Sequence, residues 1–182
     1  MAKTMEKNRS VDDSGKDSEL QALFYDTLKD IYFAEKQILK SLPKMAKAAQ
    51  ADELTEAFET HMEQTEGQIG RLEEVFDIIG KAARGKTCDA IMGILEEGKS
   101  IIDEYKGSNA LDAGLLAAAQ AVEHYEISRY GTLKAWALKL GYDDAAALLD
   151  ETLTEEKETD ELLTTIAEGS VNDEGATQAK KK

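Results

Sequence analysis

The chain has 182 residues, enough for one domain with a sizeable core, and its 37 acidic against 22 basic side chains give a formal net charge of -15. This acidic balance argues against nucleic-acid binding, which needs a basic surface, and against anionic membranes. Because Cys88 is the only cysteine and the N-terminus lacks the apolar segment of a signal peptide, we expect a cytoplasmic protein without an intramolecular disulfide. One proline, few aromatic residues and no alternating β-branched run predict a nearly all-helical fold.

The hydrophobic pattern divides the chain into one helical domain and two polar tails. Residues 1–17 and 172–182 show no hydrophobic period, so we expect both to be disordered. The domain between them, residues 18–171, contains four predicted long helices and a shorter one before the third. The five predicted helices cover residues 18–50, 53–79, 88–105, 109–140 and 143–169. We expect Pro43 to kink the first helix or to separate a terminal segment from it. Asn109 is predicted as the N-cap of the helix over 109–140, with Asp112 in a reciprocal cap.

Apolar side chains recur at steps of three and four along each long helix, which is the spacing of one buried face. On the second helix this face is interpreted as Leu54, Phe58, Met62, Thr65, Ile69, Leu72, Phe76 and Ile79, with His61 also directed inward. Residues of metal-ligand type lie on or beside these faces. They are Glu35 on the first long helix, His61 and Glu66 on the second, Glu123 and Glu126 on the third, and Glu156 and Asp160 on the fourth. A carboxylate directed at a core is costly unless it is paired, protonated or bound to a metal.

Four-helix bundles that hold two iron or manganese ions share this layout. In them one helix of each hairpin gives a Glu, and its partner gives Glu-x-x-His, all directed inward. Residues equally far from the turn of an antiparallel hairpin lie at the same height. This rule places Glu35 roughly level with Glu66, and Glu126 roughly level with Glu156 or Lys157.

The ligand on the second helix has three candidates. The helical period favours His61, the hairpin height favours Glu66, and Glu63 is a weaker third choice. A different interpretation also stays open, in which the inward carboxylates accept hydrogen bonds from tyrosine or arginine and His61 is an ordinary core histidine. His124 points off the apolar face of its helix, which favours a surface position.

Several blocks of the sequence resemble the YciF-type stress proteins of bacteria. These blocks are residues 23–25 (Leu-Phe-Tyr), 30–32 (Asp-Ile-Tyr), 34–36 (Ala-Glu-Lys), 71–73 (Arg-Leu-Glu), 118–120 (Ala-Ala-Gln), 123–126 (Glu-His-Tyr-Glu), 130–133 (Tyr-Gly-Thr-Leu) and parts of 149–160. His61, Thr65 and Gln68 also match. The resemblance covers about residues 18–171, and the Glu-His-Tyr-Glu block is its most specific part.

The resemblance implies a ferritin-like bundle of two antiparallel hairpins, a homodimer, and a carboxylate-bridged site for two iron or manganese ions, with a link to stress response. The residues that it carries onto this site are Glu35, Glu123, Glu126, Glu156 and Asp160. The second helix departs from the general ferritin-like pattern, because Glu63 and Glu66 form Glu-x-x-Glu where Glu-x-x-His is usual. Carboxylate oxygens are harder ligands than imidazole nitrogens, so a site poor in histidine makes manganese a candidate as well as iron.

Two hypotheses of function follow from these residues. The first is a dinuclear iron or manganese protein that consumes oxygen or peroxide. The alternative is a non-catalytic metal-binding or structural stress protein that acts through helical contacts with partners.

Overall fold

Two antiparallel helical hairpins make up the fold. The computed structural model of the protein describes residues 18–177, which contain helices and no strand, so the all-helical prediction is confirmed. In chain order the helices are α1 Glu19–Ala48, α2 Asp52–Ile78, α3 Asp89–Glu104, α4 Leu111–Leu140, α5 Asp143–Ile166 and α6 Asn172–Gly175, and the π-helical segment Ala167–Val171 joins α5 to α6.

The hairpins pack into a four-helix bundle with α3 on one side. Helix α1 packs against α2, and α4 against α5, while contacts of α2 with α5 and of α1 with α4 join the two pairs. Helix α3 packs on α4 and α1. Large apolar side chains such as Phe24, Leu28, Phe76, Leu115 and Leu149 are fully buried between the helices. Each such side chain contributes roughly 1.5–3 kcal/mol by leaving water, so the apolar faces hold the bundle together.

The buried face of α2 differs from the predicted one. His61 and Thr65 are buried as predicted, and Gln68 is buried as well, whereas Met62 and Ile69 are half-buried and pack at the edge of the core. The prediction followed the larger hydrophobic side chains, but the part of α2 nearest the bundle centre is polar. The helix therefore directs Gln68 inward together with His61.

The start of α4 corrects the predicted cap. The N-cap residue is Ala110 and not Asn109. The buried Asp112 carboxylate instead accepts hydrogen bonds from the backbone N–H groups of Gln50, at 2.9 Å, and of Ala51, at 2.7 Å, in the turn between α1 and α2. Backbone N–H groups at a helix start have no partner within the helix, and the Ala51 side chain offers none. Asp112 therefore joins the second hairpin to the turn of the first.

The structure departs from two further predictions, one about Pro43 and one about the C-terminal tail. Pro43 lies inside α1, which continues to Ala48, so it does not separate a terminal segment. Helix α6 occupies the first residues of the predicted C-terminal tail, anchored by the buried Val171. The remainder of both predicted tails, residues 1–17 and 178–182, lies outside the described residues.

None of the described helices combines the length and hydropathy needed to cross a bilayer.

Candidate metal centre

Five buried polar side chains, at least one from each long helix, come together inside the bundle. They are Glu35 from α1, His61 from α2, Glu123 and Glu126 from α4, and Glu156 from α5, and we call them the carboxylate cluster. None of the five is more than 3% exposed, so water does not solvate their charges. Glu123 and Glu126 reach the same place because residues three apart share one face of a helix.

Four members of the cluster can reach one point. His61, Glu123, Glu126 and Glu156 each offer a ligand atom, and these atoms all lie within 4.8 Å of one another. The His61 Nε2 and Glu123 Oε1 atoms are 3.4 Å apart. Metal–ligand bonds of about 2.1 Å place opposite donor atoms about 4.2 Å apart, so the group has nearly the size of a single ion's ligand shell.

Glu35 adjoins the group through Glu126. The two carboxyl groups lie within range of a shared proton. The buried Tyr130 hydroxyl donates a hydrogen bond to Glu35 Oε1, which fixes that oxygen. No donor group within residues 18–177 bonds to Glu35 Oε2.

Most ligand atoms of the cluster lack a hydrogen-bond partner within residues 18–177. They are Glu35 Oε2, both ring nitrogens of His61, Glu123 Oε2, and both carboxylate oxygens of Glu126 and of Glu156. Buried polar groups in folded proteins are nearly always hydrogen-bonded, and an unsatisfied one costs about 1–3 kcal/mol, more if it is charged. So many unsatisfied buried atoms in one place require a bound cation, bound protons, or both.

Burial and mutual repulsion favour the neutral form of each carboxyl group. Burial raises the pKa of Glu35 to about 7 even though the Tyr130 hydroxyl opposes the shift, and it raises the pKa of Glu123 to about 8. The pKa values of Glu126 and Glu156 are also well above the usual range, first through burial and then through neighbouring carboxylates. Burial lowers the pKa of His61 to about 4, so its imidazole is neutral at pH 7 and able to ligate.

The structure leaves the other predicted ligands outside the cluster. Glu66 and Glu63 are exposed on α2, so of the three candidates on that helix only His61 faces the other carboxylates. The half-buried Asp160 accepts a hydrogen bond from the Gln120 amide at 3.2 Å. It also lies 3.2 Å from Nε2 of the exposed His124. The helical period, and not the height in the hairpin, determines which α2 side chain turns inward.

A second polar network, between α2 and α5, has no counterpart in the sequence reasoning. The Arg71 guanidinium pairs with both oxygens of Glu155, and one of its N–H groups also reaches Thr152 Oγ1 at 3.1 Å. The buried Gln68 amide donates to Glu155 at 3.1 Å. The one sequence signal for this network is the three-residue spacing of Gln68 and Arg71 beside the buried face of α2.

The donors of the cluster fit a hard divalent ion. Carboxylates with one imidazole suit iron and manganese better than soft, thiolate-binding ions. The unpartnered oxygens of Glu126 and Glu156 are the atoms that such an ion would satisfy. Four of the five side chains form a group that could hold one ion, and Glu35 adds a carboxylate beside it.

The part of the chain that matches a known protein family has nearly the same bounds as the helical bundle. The family model described as "Domain of unknown function (DUF892)" matches residues 19–176. Protein YciF of Escherichia coli (strain K12) is 44% identical over 162 residues, which are 88% of this chain and 97% of that protein.

Two solved structures are also similar to this chain. The crystal structure of the E. coli stress protein YciF superposes with a TM-score of 0.82 at 43% identity, covering 86% of this chain and 99% of that one. A protein of Rhodopseudomonas palustris, described as "YcfI, a putative structural protein", superposes with a TM-score of 0.79 at 43% identity, covering 84% and 97%. The resemblance in sequence is thereby confirmed, and this chain belongs to the DUF892 family of YciF-type proteins.

Proposed function

We propose that this chain is a stress-response protein whose carboxylate cluster binds iron or manganese and supports the consumption of oxygen or peroxide. One observation carries the proposal: both oxygens of Glu126 and of Glu156 are buried at the centre of the bundle without a hydrogen-bond partner among the described residues. Because an uncompensated buried charge costs several kcal/mol, a bound cation is the component that makes this arrangement stable when the groups are ionised.

Each member of the cluster has a role in this proposal. His61, Glu123, Glu126 and Glu156 would hold one ion, and Glu35 would add a carboxylate for a second. Such ions supply Lewis acidity and redox equivalents for reaction with oxygen or peroxide. The chain itself excludes bulk water, keeps His61 neutral, and releases protons from the carboxyl groups as they become ligands. Tyr130 orients Glu35 through its hydroxyl group.

The role in stress rests on the relatives. The E. coli protein to which this chain is 43–44% identical over most of its length is described as a stress protein. The cluster supports the chemical part of the proposal, and the relatives support the biological part.

A second candidate function is a structural or metal-storing stress protein without turnover. It is favoured by the raised pKa values, because neutral carboxyl groups can share protons with one another, as Glu123 can with Glu156. Such pairs, with the Tyr130–Glu35 bond, would let the bundle fold without a metal. The R. palustris relative is described as a putative structural protein, in accord with this candidate.

Elemental analysis of the full chain purified without chelator tests the proposal. We expect near-stoichiometric iron or manganese in the wild-type protein, and at least about a tenfold loss in Glu126→Ala. The exposed Glu158 on α5 provides the control, since Glu158→Ala should keep its metal. Absence of metal, with none taken up anaerobically by the metal-free chain, would contradict the proposal. Metal without metal-dependent consumption of oxygen or peroxide would favour the second candidate.

A further inference from the structure

A small cavity lies against the edge of the carboxylate cluster formed by His61 and Glu123. The volume of this cavity is about 20 Å³. A single water molecule needs about 10–15 Å³ when volume is measured in the same way. Most of its wall is apolar, with side chains that include Leu42, Met45, Phe58, Leu95, Ala119 and Val122. The cavity therefore has room for one very small molecule and offers it mainly hydrocarbon contacts, with two cluster members at one edge.

The cavity adjoins a groove that opens between α1, α3 and α4. The groove has a volume of about 580 Å³ on the same scale. Ser41, Met45, Leu95 and Val122 line both spaces, so these four side chains form the constriction between them. Leu95 and Ser41 are half-buried, whereas Met45 and Val122 are buried. Because a methionine side chain is flexible and Leu95 lies near the surface, small side-chain movements can open this passage.

We infer that this passage admits dioxygen to the carboxylate cluster and that the cavity is its docking position. The inference rests on the proposed function and specifies the oxidant for that same site. Dioxygen is small, uncharged and apolar, so it loses no hydrogen bonds on entering the cavity. Peroxide would give up hydrogen bonds to water, at about 1–3 kcal/mol for each unpaired group, and superoxide would lose the hydration of its charge, which costs more.

Charge-assisted hydrogen bonds lie on the polar side of the cluster, between α2 and α5. Between α2 and α5, Arg71 and Glu155 form a two-pronged ion pair, and the buried Gln68 packs beside it with its amide bonded to Glu155. Opening that side would break charge-assisted hydrogen bonds, whereas opening the apolar constriction moves only side chains in van der Waals contact.

Xenon is apolar and binds in dry apolar cavities, so it tests this cavity whether or not the protein consumes oxygen. Crystals of the full chain as purified, held under xenon pressure, should show xenon between Ala119, Val122 and the His61–Glu123 edge. Leu95 also lines the cavity itself, so the larger ring in Leu95→Phe should take up part of its small volume, and we expect at least about a threefold lower xenon occupancy. Ile94→Phe is the matched control, since Ile94 lines the groove but not the cavity, and its occupancy should equal that of the wild type.

Kinetics then test the passage itself. Where the wild-type protein shows metal-dependent oxygen consumption, Leu95→Phe should slow it at least about tenfold while Ile94→Phe and anaerobic metal binding stay unchanged. Absence of xenon from the cavity, or equal oxygen rates in both variants, would overturn the inference. A wild-type chain that takes up no metal would overturn the proposed function, and the xenon result would still decide whether the cavity accepts a dioxygen-like molecule.

Discussion

Glu155 and Glu156 are consecutive residues of α5, yet their carboxylates have opposite surroundings. Glu155 is half-buried and receives hydrogen bonds from the Arg71 guanidinium and the Gln68 amide. Glu156 is fully buried, and neither of its oxygens has a hydrogen-bond partner among the described residues. One carboxylate has its cation built into the chain, and the other has only further carboxyl groups and a neutral imidazole near it.

This difference separates a structural ion pair from a binding site. An ion pair made by the chain itself satisfies its charges in every folded molecule. A group of carboxylates without an internal cation is instead sensitive to what the solution supplies, either protons or metal ions. The four experiments below therefore test whether the two regions respond differently to pH, to metal and to substitution.

The largest expected effect is a loss of stability of the metal-free chain as the pH rises. With pKa values of about 7 for Glu35 and about 8 for Glu123, the folded state holds protons that the unfolded state, near 4.5, has released. Stability should fall as the pH rises from about 5 through 8, at about 1.4 kcal/mol per pH unit for each net proton released. His61, whose folded pKa of about 4 lies below its ordinary value, opposes this slope below about pH 6.5, but it is one group against four carboxyl groups with raised pKa values. Urea unfolding of the metal-free chain at several pH values measures this slope.

The same titration has an internal control and a clear contrary result. Glu123→Gln cannot ionise at that position, so its stability should fall less steeply with pH than that of the wild type. Saturating metal should reverse the trend, because ligation needs deprotonated groups. A metal-free wild-type chain whose stability stays constant or rises between pH 5 and pH 8 would show that the cluster is not a set of protonated, buried carboxyl groups.

Next in size is the effect of Glu156→Gln on metal affinity. Removal of one charged ligand should weaken binding at least about a hundredfold, as measured by anaerobic titration calorimetry. Without metal, the stability of this variant should fall less steeply with rising pH than that of the wild type, because burial raises the pKa of Glu156 and a glutamine has no proton to release. Unchanged affinity would exclude Glu156 from the site.

Glu155→Gln should show the reverse pattern with a smaller magnitude. Its metal affinity should stay within about twofold of wild type. Arg71 keeps its contacts with Thr152 and, at 3.5 Å, with Glu151, but loss of the two-pronged ion pair should lower the free energy of unfolding by about 1–2 kcal/mol. Urea unfolding of the metal-loaded protein measures the second quantity. A large loss of metal in this variant would mean that the Arg71 network and the carboxylate cluster act as one unit.

The smallest effect is expected for Glu66→Gln. Its side chain is exposed on α2 although its height in the hairpin made it a candidate ligand. Metal content should equal that of the wild type, and the free energy of unfolding should change by less than about 0.5 kcal/mol. A loss of metal in this variant would mean that the level of a residue in the hairpin identifies the α2 ligand better than its position on the helix face.

The sequence by itself determined the helices and much of the cluster. Helix-forming composition and apolar spacing predict the all-helical fold, because both act within a few residues of chain. The same local spacing indicates that Glu35, Glu126 and Glu156 face inward, and the structure places all three in the cluster. No distant contact is needed to know which side of a helix is apolar.

Only the tertiary structure decided how each helix is turned against its neighbours and which distant groups meet. The helical period favours His61, but only the assembled bundle shows that Glu66 is exposed and that Gln68 is buried on the same helix. The bonds from Asp112 to the α1–α2 turn, and from Arg71 to Glu155, join residues more than 60 positions apart. Such pairs depend on the assembled bundle, since nothing in the local sequence of either partner specifies the other.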